Sequence, residues 1–160
     1  MGGERVAKIL LVSEGIGESR SVERYTIGLA CSLKYDIKVL FIADDRYAVE
    51  LIGGGLHERS VDALREEVEA RAKEEFQVFR ELSLNIEYEV KRGISHEVLM
   101  RELEEDSDIK LVIVGYSPAG WLRELVEKPH LPEVLRKRKL PVLVVPYDIR
   151  EEDYFSVLKC

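Results

Sequence analysis

The chain contains four short, largely apolar runs, which are residues 8–12 (KILLV), 38–42 (KVLFI), 110–114 (KLVIV) and 142–145 (VLVV). Runs of this length that are rich in β-branched residues are typical of strands buried on both faces of a parallel sheet. A fifth segment, residues 85–90 (NIEYEV), alternates apolar and polar side chains. That alternation predicts a strand that lies at a sheet edge or has one wetter face.

Apolar residues at helical spacing lie between these strands. The predicted helices run from a cap at Ser19 or Ser21 to about Leu33, over residues 58–82, from a cap at Ser95 to about Glu105, and from about residue 121 to the cations at 136–139. Five strands therefore alternate with four helices, and Gly115 is predicted to end the fourth strand. This order predicts a three-layer, doubly wound α/β sandwich on a mostly parallel five-stranded sheet. The strand residues expected to be buried are Leu10, Val12, Leu40, Ile42, Val112, Val114, Leu143 and Val145.

Length and composition fit a single domain. With 160 residues, of which 46% are hydrophobic and 34% charged, the chain can bury a substantial core. We expect one domain over residues 1–160, with a core at about 8–146 and a tail at 147–160. The net charge of −7 argues against a dedicated nucleic-acid binder, and the apolar runs are too short to span a membrane.

The cysteines and the amino terminus indicate the compartment. The sequence begins without a signal-peptide pattern, and its two cysteines, Cys31 and Cys160, make no disulfide framework. A reducing cytoplasm is therefore the expected location. Cys31 falls on the first predicted helix, where we expect a buried, small, apolar side chain.

Three loops are candidates for ligand binding. In open parallel sheets, ligands bind at the carboxyl ends of the strands, where the strand order reverses. The corresponding loops follow the first, second and fourth strands, at residues 13–17, 43–57 and 115–120. None of them contains a P-loop or a G-x-G-x-x-G turn, and no G-x-S-x-G elbow occurs in the chain. The sequence therefore does not favour a Walker ATPase, a dinucleotide dehydrogenase or a serine hydrolase.

Other polar features keep two interpretations open. The three histidines lack the paired spacing of a zinc site, so no metal is expected. The second loop, which contains Gly53, Gly54 and Gly55, is either a binding lid or a surface excursion without a ligand. The basic residues 136–139 (RKRK) are either a solvated helix end or a phosphate-binding patch, and the helix end is favoured.

The order and spacing of three segments resemble the universal stress protein family. The segments are KILLVSEG at the first strand, IKLVIVG at the fourth and PVLVV at the last, and the resemblance runs over about residues 8–145. It implies a doubly wound, adenine nucleotide alpha hydrolase-like fold with strand order 3-2-1-4-5. The family is usually homodimeric, and its members divide into those that bind ATP and those that do not.

The resemblance also implies where a nucleotide would lie. ATP-binding members have an acidic residue after the first strand, a place taken here by Glu14, and a Gly-x2-Gly-x9-Gly-Ser/Thr motif after the fourth. When the motif is laid on from Gly115, its other two glycines fall on Pro118 and Lys128, and its hydroxyl residue falls on Pro129. Proline offers neither an N–H nor a hydroxyl, so we do not expect triphosphate binding. The candidate nucleotide-contacting residues are Ser13, Glu14, Ile42, Ala43, Gly115, Tyr116, Ser117, Gly120, Lys128 and His130.

Three functional hypotheses follow. The first is a non-enzymatic, homodimeric stress-type module, in stress response or regulation, with a degenerate nucleotide site and no cofactor. The second is an adenine-nucleotide binder for ATP or AMP that uses the three loops, with Arg123, Lys128 or His130 near any phosphates. The third is an enzyme of unidentified activity. For the first, the resemblance implies a dimer contact through the last strand, at Val142, Leu143, Val144 and Val145, with neither a membrane nor a nucleic-acid partner.

Overall fold

The computed structural model describes residues 6–13, 20–43, 66, 70, 84–116, 136–146 and 148–150. The strands of this part are β1 (Lys8–Ser13), β2 (Asp36–Ala43), β3 (Ile86–Arg92), β4 (Ile109–Tyr116) and β5 (Val142–Pro146). Its continuous helices are α1 (Arg20–Leu33) and α2 (Ser95–Glu105). Residues 66 and 70, in the predicted long helix, and residues 136–138, at the end of the last predicted helix, are also helical.

The five strands form one parallel sheet in the order β3-β2-β1-β4-β5. The predicted sheet and its strand order are therefore confirmed. The prediction that Gly115 ends the fourth strand is wrong, because β4 continues to Tyr116 and Gly115 pairs with Val145 of β5. A glycine can stay within a strand when both neighbours hold the backbone, and β4 lies between β1 and β5.

Each face of the sheet packs against a helix, which gives the predicted three layers. The α1-face cluster contains α1 residues and odd-numbered strand residues, and its main members are Ile9, Leu11, Val22, Ile27, Ala30, Ile37, Val39, Leu111, Ile113 and Val145. The α2-face cluster contains α2 residues, even-numbered strand residues and Ile109 at the start of β4, and its main members are Leu10, Val12, Leu40, Ile42, Val98, Leu99, Leu103, Ile109, Val112 and Val114. Strands buried on both faces explain the unbroken apolar runs. Cys31 of α1 is half-buried and disulfide-bonded, so the expectation of a buried side chain in no disulfide is wrong.

The alternating strand lies at the sheet edge, as predicted. Ile86 and Tyr88 of β3 pack against the α1-face cluster, and Glu87, Glu89 and Lys91 point to the opposite face. Within the described part of the chain β3 pairs with β2 alone, and its α2-facing side carries ion pairs, so polar side chains can stand at every second position.

The last strand departs from the expected burial. Seven of the eight residues predicted to be buried are so, but Leu143 is 37% exposed and this prediction is wrong for the single chain. Val144 is 41% exposed, whereas Val145 is 4% exposed. The reason is topological, because β5 is an edge strand and pairs with β4 alone among the described strands. Its apolar composition therefore does not report burial on both faces.

Local backbone geometry sets the ends of both helices. α1 ends in a Schellman arrangement, in which the Tyr35 N–H donates to the Ala30 carbonyl at 3.0 Å and Lys34 has a φ of 59°. The predicted Ser95 cap of α2 is wrong, because Ile94 is the N-cap and no side chain caps it. The turn from β3 into α2 instead uses Gly93, with a φ of 148°.

Gly93→Ala should destabilise the protein by about 1 to 2 kcal/mol. The added methyl group would occupy a backbone conformation unfavourable for L residues and would meet Val98 Cγ2 at 3.1 Å. Urea unfolding measures the change. Lys34 is a non-glycine residue with a positive φ, so replacing it with glycine is the opposite test. Lys34→Gly should leave the free energy of unfolding unchanged or raise it by up to about 1 kcal/mol. Equal stability of Gly93→Ala and the parent protein would contradict this reading of the turn.

Candidate functional site

The carboxyl ends of β1, β2 and β4 meet at one edge of the sheet. β1 lies between β2 and β4, with Ser13 opposite Phe41 and Val12 opposite Val114. In the sheet, β2 lies on one side of β1 and β4 lies on the other side. The strand order therefore reverses at β1. A doubly wound sheet opens a crevice at this point, because the connections on its two sides run over opposite faces.

The structure brings together four of the predicted site residues at this edge. Ser13 ends β1, Ala43 ends β2, and Gly115 and Tyr116 end β4. The fifth described residue, Ile42, is fully buried in the α2-face cluster, so only its backbone is available to a ligand. The other predicted site residues lie outside the described residues, and they are Glu14, Ser117, Gly120, Lys128 and His130.

A network of ion pairs, which we call the β3–α2 charge network, lies on the α2 face beside the edge strand. At its centre is the carboxylate of Glu102, whose side chain is only 1% exposed. Lys38 of β2 and Lys91 of β3 both donate to this carboxylate, Lys91 at 2.6 Å. Glu89 lies 3.3 Å from the Lys38 ammonium. A carboxylate buried this deeply keeps its charge because two ammonium groups replace its water.

The network continues toward the amino end of the sheet. The Lys8 ammonium lies 3.1 Å from Asp106 and 3.4 Å from Glu87. Asp106 is the C-cap residue of α2, and it also accepts a hydrogen bond from the Asp108 N–H at 3.0 Å. The network therefore ties the first three strands to α2. Sequence reasoning missed it, although charged residues inside otherwise apolar or alternating strands, such as Lys38 and Lys91, are a usable signal.

The charges in the network shift one another's pKa values. Burial alone would raise the pKa of Glu102, but hydrogen bonds from Lys38 and Lys91 outweigh burial and lower it. Burial alone would lower the pKa of Lys38, but the hydrogen bond to Glu102 and the charges of Glu102 and Glu89 raise it. The pKa of Asp106 is lowered, because Lys8 and the Asp108 N–H outweigh its burial. These shifts favour the charged forms of Glu102, Asp106 and Lys38.

The basic residues at 136–139 include a helix-end contact. Arg138 is half-buried, and its guanidinium donates to the carbonyl of Asp106 at 3.3 Å and to that of Ile109 at 3.5 Å. Cations stabilise the carboxyl end of a helix, and Asp106 caps α2. Arg136 and Lys137 are exposed. Arg138 thus contacts the end of α2 and the start of β4, and the choice between a solvated helix end and a phosphate-binding patch for this cluster stays a prediction.

A cleft of about 280 Å³ lies between α2 and this helical turn. It is lined by Met100, Leu103, Glu104, Lys137 and Arg138. The cleft is at the amino end of the sheet, because α2 and the turn of 136–138 both lead into the beginnings of strands. It is therefore separate from the candidate nucleotide edge.

The described ranges contain no candidate for two other kinds of site. Among these residues, no group of three or more histidine, cysteine or acidic side chains is placed to hold a metal ion. No helix within them has the length and apolar character needed to cross a membrane.

Comparison with known proteins adds to this geometry. No family model matches the sequence, and no curated protein matches it. Solved structures do match. A universal stress protein in complex with cAMP is 16% identical with a TM-score of 0.55, over 91% of this chain and 100% of that one.

Two further structures give the same result. A member of the universal stress protein family from Burkholderia pseudomallei is 17% identical with a TM-score of 0.56, over 90% of this chain and 98% of that one. The universal stress protein from Archaeoglobus fulgidus in complex with dAMP is 15% identical with a TM-score of 0.51, over 88% of this chain and 97% of that one. At these identities the likeness shows the fold, so the chain has the α/β fold of universal stress proteins.

Proposed function

We propose that this protein is a member of the universal stress protein family that acts as a non-enzymatic, homodimeric module with a degenerate nucleotide site, in stress response or regulation. The observation that supports the proposal is the parallel sheet in the order β3-β2-β1-β4-β5, which matches structures of that family over about nine-tenths of the chain. Sheet order and the edge formed by β1, β2 and β4 are the features on which the family's nucleotide site would be built.

The degenerate character of the site is argued from the sequence after β4. Pro118, Lys128 and Pro129 stand where the motif of ATP-binding members has two glycines and a hydroxyl residue. Backbone N–H groups aimed at a phosphate are strong donors, and proline has none. The loop therefore lacks donors that a triphosphate needs.

Adenine-nucleotide binding is the second candidate function. The solved structures of this fold include complexes with cAMP and dAMP, and each of these ligands carries a single phosphate. A site without a cradle for the outer phosphates can still hold the adenosine half. This candidate predicts that AMP or adenosine binds where ATP does not.

Thermal unfolding of the full chain with adenosine, AMP or Mg-ATP at millimolar concentration separates these functions. A ligand at a hundred times its Kd stabilises the folded state by about 2.7 kcal/mol. No shift with any of the three ligands supports the non-binding module. A shift with AMP and adenosine alone supports the second candidate, whereas a shift specific to Mg-ATP contradicts the degenerate site. A coupled assay for ADP release then tests the absence of ATPase activity.

The proposed dimer rests on the surface of β5. Leu143 and Val144 are exposed apolar residues on an edge strand, and such an edge associates readily with another chain. Pro141 and Pro146 flank the apolar residues. Proline cannot donate a ladder hydrogen bond, so strand pairing here is limited to a short segment. A second copy would cover the same residues across a twofold axis.

Leu143→Glu should convert the dimer to a monomer at micromolar concentration. A charge at the centre of the contact would be buried twice across the symmetry axis, which is unfavourable without a partner. Sedimentation equilibrium measures the mass. Val6→Glu is the matched control, because Val6 is also an exposed apolar residue, at 43%, but lies outside β5. A monomeric parent protein, or a Leu143→Glu protein that sediments as a dimer, would contradict the proposed contact.

A further inference from the structure

The cleft at the amino end of the sheet has an apolar floor and a charged rim. Met100, Leu103 and Glu104 lie on one face of α2, because residues three and four apart are neighbours on a helix. Leu103 is 2% exposed, and half-buried Met100 packs against the α2-face cluster, so the floor is continuous with the core. Lys137 and Arg138 line the other side. An apolar floor with a few polar groups around it is typical of sites for small organic ligands.

Two charges at the rim of the cleft have opposite signs and do not neutralise each other. Glu104 and Lys137 are both exposed, and within the described part of the chain neither forms an ion pair. In contrast, Glu102 and Glu105 on the same helix both lie within ion-pair distance of Lys91, at 2.6 and 3.5 Å. Among its described lining residues, the cleft therefore offers an unpaired carboxylate and an unpaired ammonium group beside an apolar floor.

Arg138 adds a second cation in a fixed position. Its guanidinium donates to the carbonyls of Asp106 and Ile109 at 3.3 and 3.5 Å, so the side chain is held between the end of α2 and the start of β4. A guanidinium has five N–H donors, and these contacts use two of them. Because a guanidinium is always charged and its donors match a carboxylate in geometry, the wall formed by Lys137 and Arg138 suits a carboxylate.

From this arrangement we infer that the cleft binds a small α-amino acid with an apolar side chain, of the size of leucine or methionine. Lys137 and Arg138 bind its carboxylate, and Glu104 binds its ammonium group. Met100 and Leu103 contact its side chain. The cleft volume of about 280 Å³ is close to the lower limit of roughly 300 Å³ for small-molecule sites, which suits a ligand of this size. Since the cleft is separate from the candidate nucleotide edge, this inference does not rest on the proposed function.

NMR titration of the isotope-labelled full chain with L-leucine and two of its analogues tests the site. Isocaproate lacks the ammonium group of leucine, and isoamylamine lacks its carboxylate. Leucine should bind with a Kd of about 1 mM or lower, and each analogue should bind about fivefold more weakly because it loses one charge contact. The shift changes should centre on Met100 and Leu103. No binding of leucine at millimolar concentration, or binding of isocaproate as tight as that of leucine, would overturn the inference.

Substitutions that remove one charge show which ligand group each side chain contacts. Glu104→Gln should weaken leucine binding about fivefold and leave isocaproate binding unchanged. Lys137→Gln should weaken the binding of both ligands about fivefold and leave isoamylamine binding unchanged. Glu97→Gln and Lys110→Gln are the matched controls, because both residues are exposed and lie outside the cleft lining. Equal leucine affinity of Glu104→Gln and the parent protein, or an equal loss in the control variants, would refute the site.

Discussion

Glu102→Gln should lower the free energy of unfolding by about 3 kcal/mol at pH 7. The amide has nearly the same size as the carboxylate, but it leaves the ammonium groups of Lys38 and Lys91 without their central anion. Lys38 is 12% exposed, so water replaces little of that interaction. Glu89 and Asp106 remain 3.3 and 3.4 Å from the Lys38 ammonium and still offset part of its charge. The expected loss is therefore at the lower end of the range for a broken buried ion pair. Urea unfolding monitored by circular dichroism measures it.

Glu105→Gln is the control for this prediction. Glu105 is also on α2 and also contacts Lys91, at 3.5 Å, but its side chain is 60% exposed. An exposed ion pair contributes between about 0 and 1 kcal/mol, so this variant should be close to the parent protein. Equal losses in the two variants would show that burial of Glu102 does not matter.

The pH dependence of stability gives a second measure of the same network. The pKa values of Glu102 and Asp106 are lowered in the folded protein. Their stabilisation is therefore present above the ordinary carboxyl pKa, and it is lost as the pH falls through the lowered values. The lysines have raised pKa values, so their part is present below the ordinary lysine pKa and lost only as the pH rises through the raised values. Glu102→Gln should lose less stability than the parent protein between pH 5 and acid unfolding.

The combined substitution Pro118→Gly, Lys128→Gly and Pro129→Ser should create or strengthen ATP binding by at least about a hundredfold. It restores two backbone N–H groups and a hydroxyl after β4 and allows the backbone to approach a phosphate closely. Each hydrogen bond to a charged group contributes about 1.5 to 3 kcal/mol, and 1.4 kcal/mol corresponds to a factor of ten in Kd. Calorimetric titration with Mg-ATP measures the gain.

AMP is the matched ligand for that titration. It shares the adenosine half with ATP but lacks the outer phosphates, so the triple substitution should improve AMP binding much less than ATP binding. A variant with Pro129→Ala in place of Pro129→Ser separates the N–H from the hydroxyl. An equal gain for AMP and ATP, or tight ATP binding by the parent protein, would show that the motif has been aligned incorrectly on this loop.

Much of the fold could be predicted from local sequence, because strand burial leaves a strong signal. Residues 9–12 and 111–114 are apolar on both faces since the centre of a parallel sheet offers them no water. The same signal gave a wrong burial prediction at Leu143, because an apolar edge strand has the composition of an inner one. The sequence of a single strand does not reveal its position in the sheet. The prediction that Gly115 ends the fourth strand was wrong for a related reason. A strand that is hydrogen-bonded to a neighbour on each side can include a glycine.

The candidate site was less accessible to sequence reasoning. Ser13, Ala43 and Gly115 were predicted to lie at the carboxyl edge of the sheet and do so, because parallel strands all end on the same side. Ile42 was chosen by its position in the strand alone, and its side chain proved to lie in the core. The charge network was not predicted, because its partners lie on different elements and only packing brings Lys38 to Glu102. Pairing of this kind depends on which face each strand residue points to.

The two edges of the sheet differ in their capacity to add strands. β5 presents Leu143 and Val144 to solvent, whereas β3 carries Glu87, Glu89 and Lys91, which are already engaged with Lys8, Lys38 and Glu102. An incoming strand at β3 would have to disturb charges that satisfy one another, and charged edges resist such addition. Among the described strands, β5 is therefore the edge better suited to pair with another strand. In the proposed dimer β5 is already used, and the charges on β3 that fasten α2 to the sheet disfavour further growth into a polymer at the other edge.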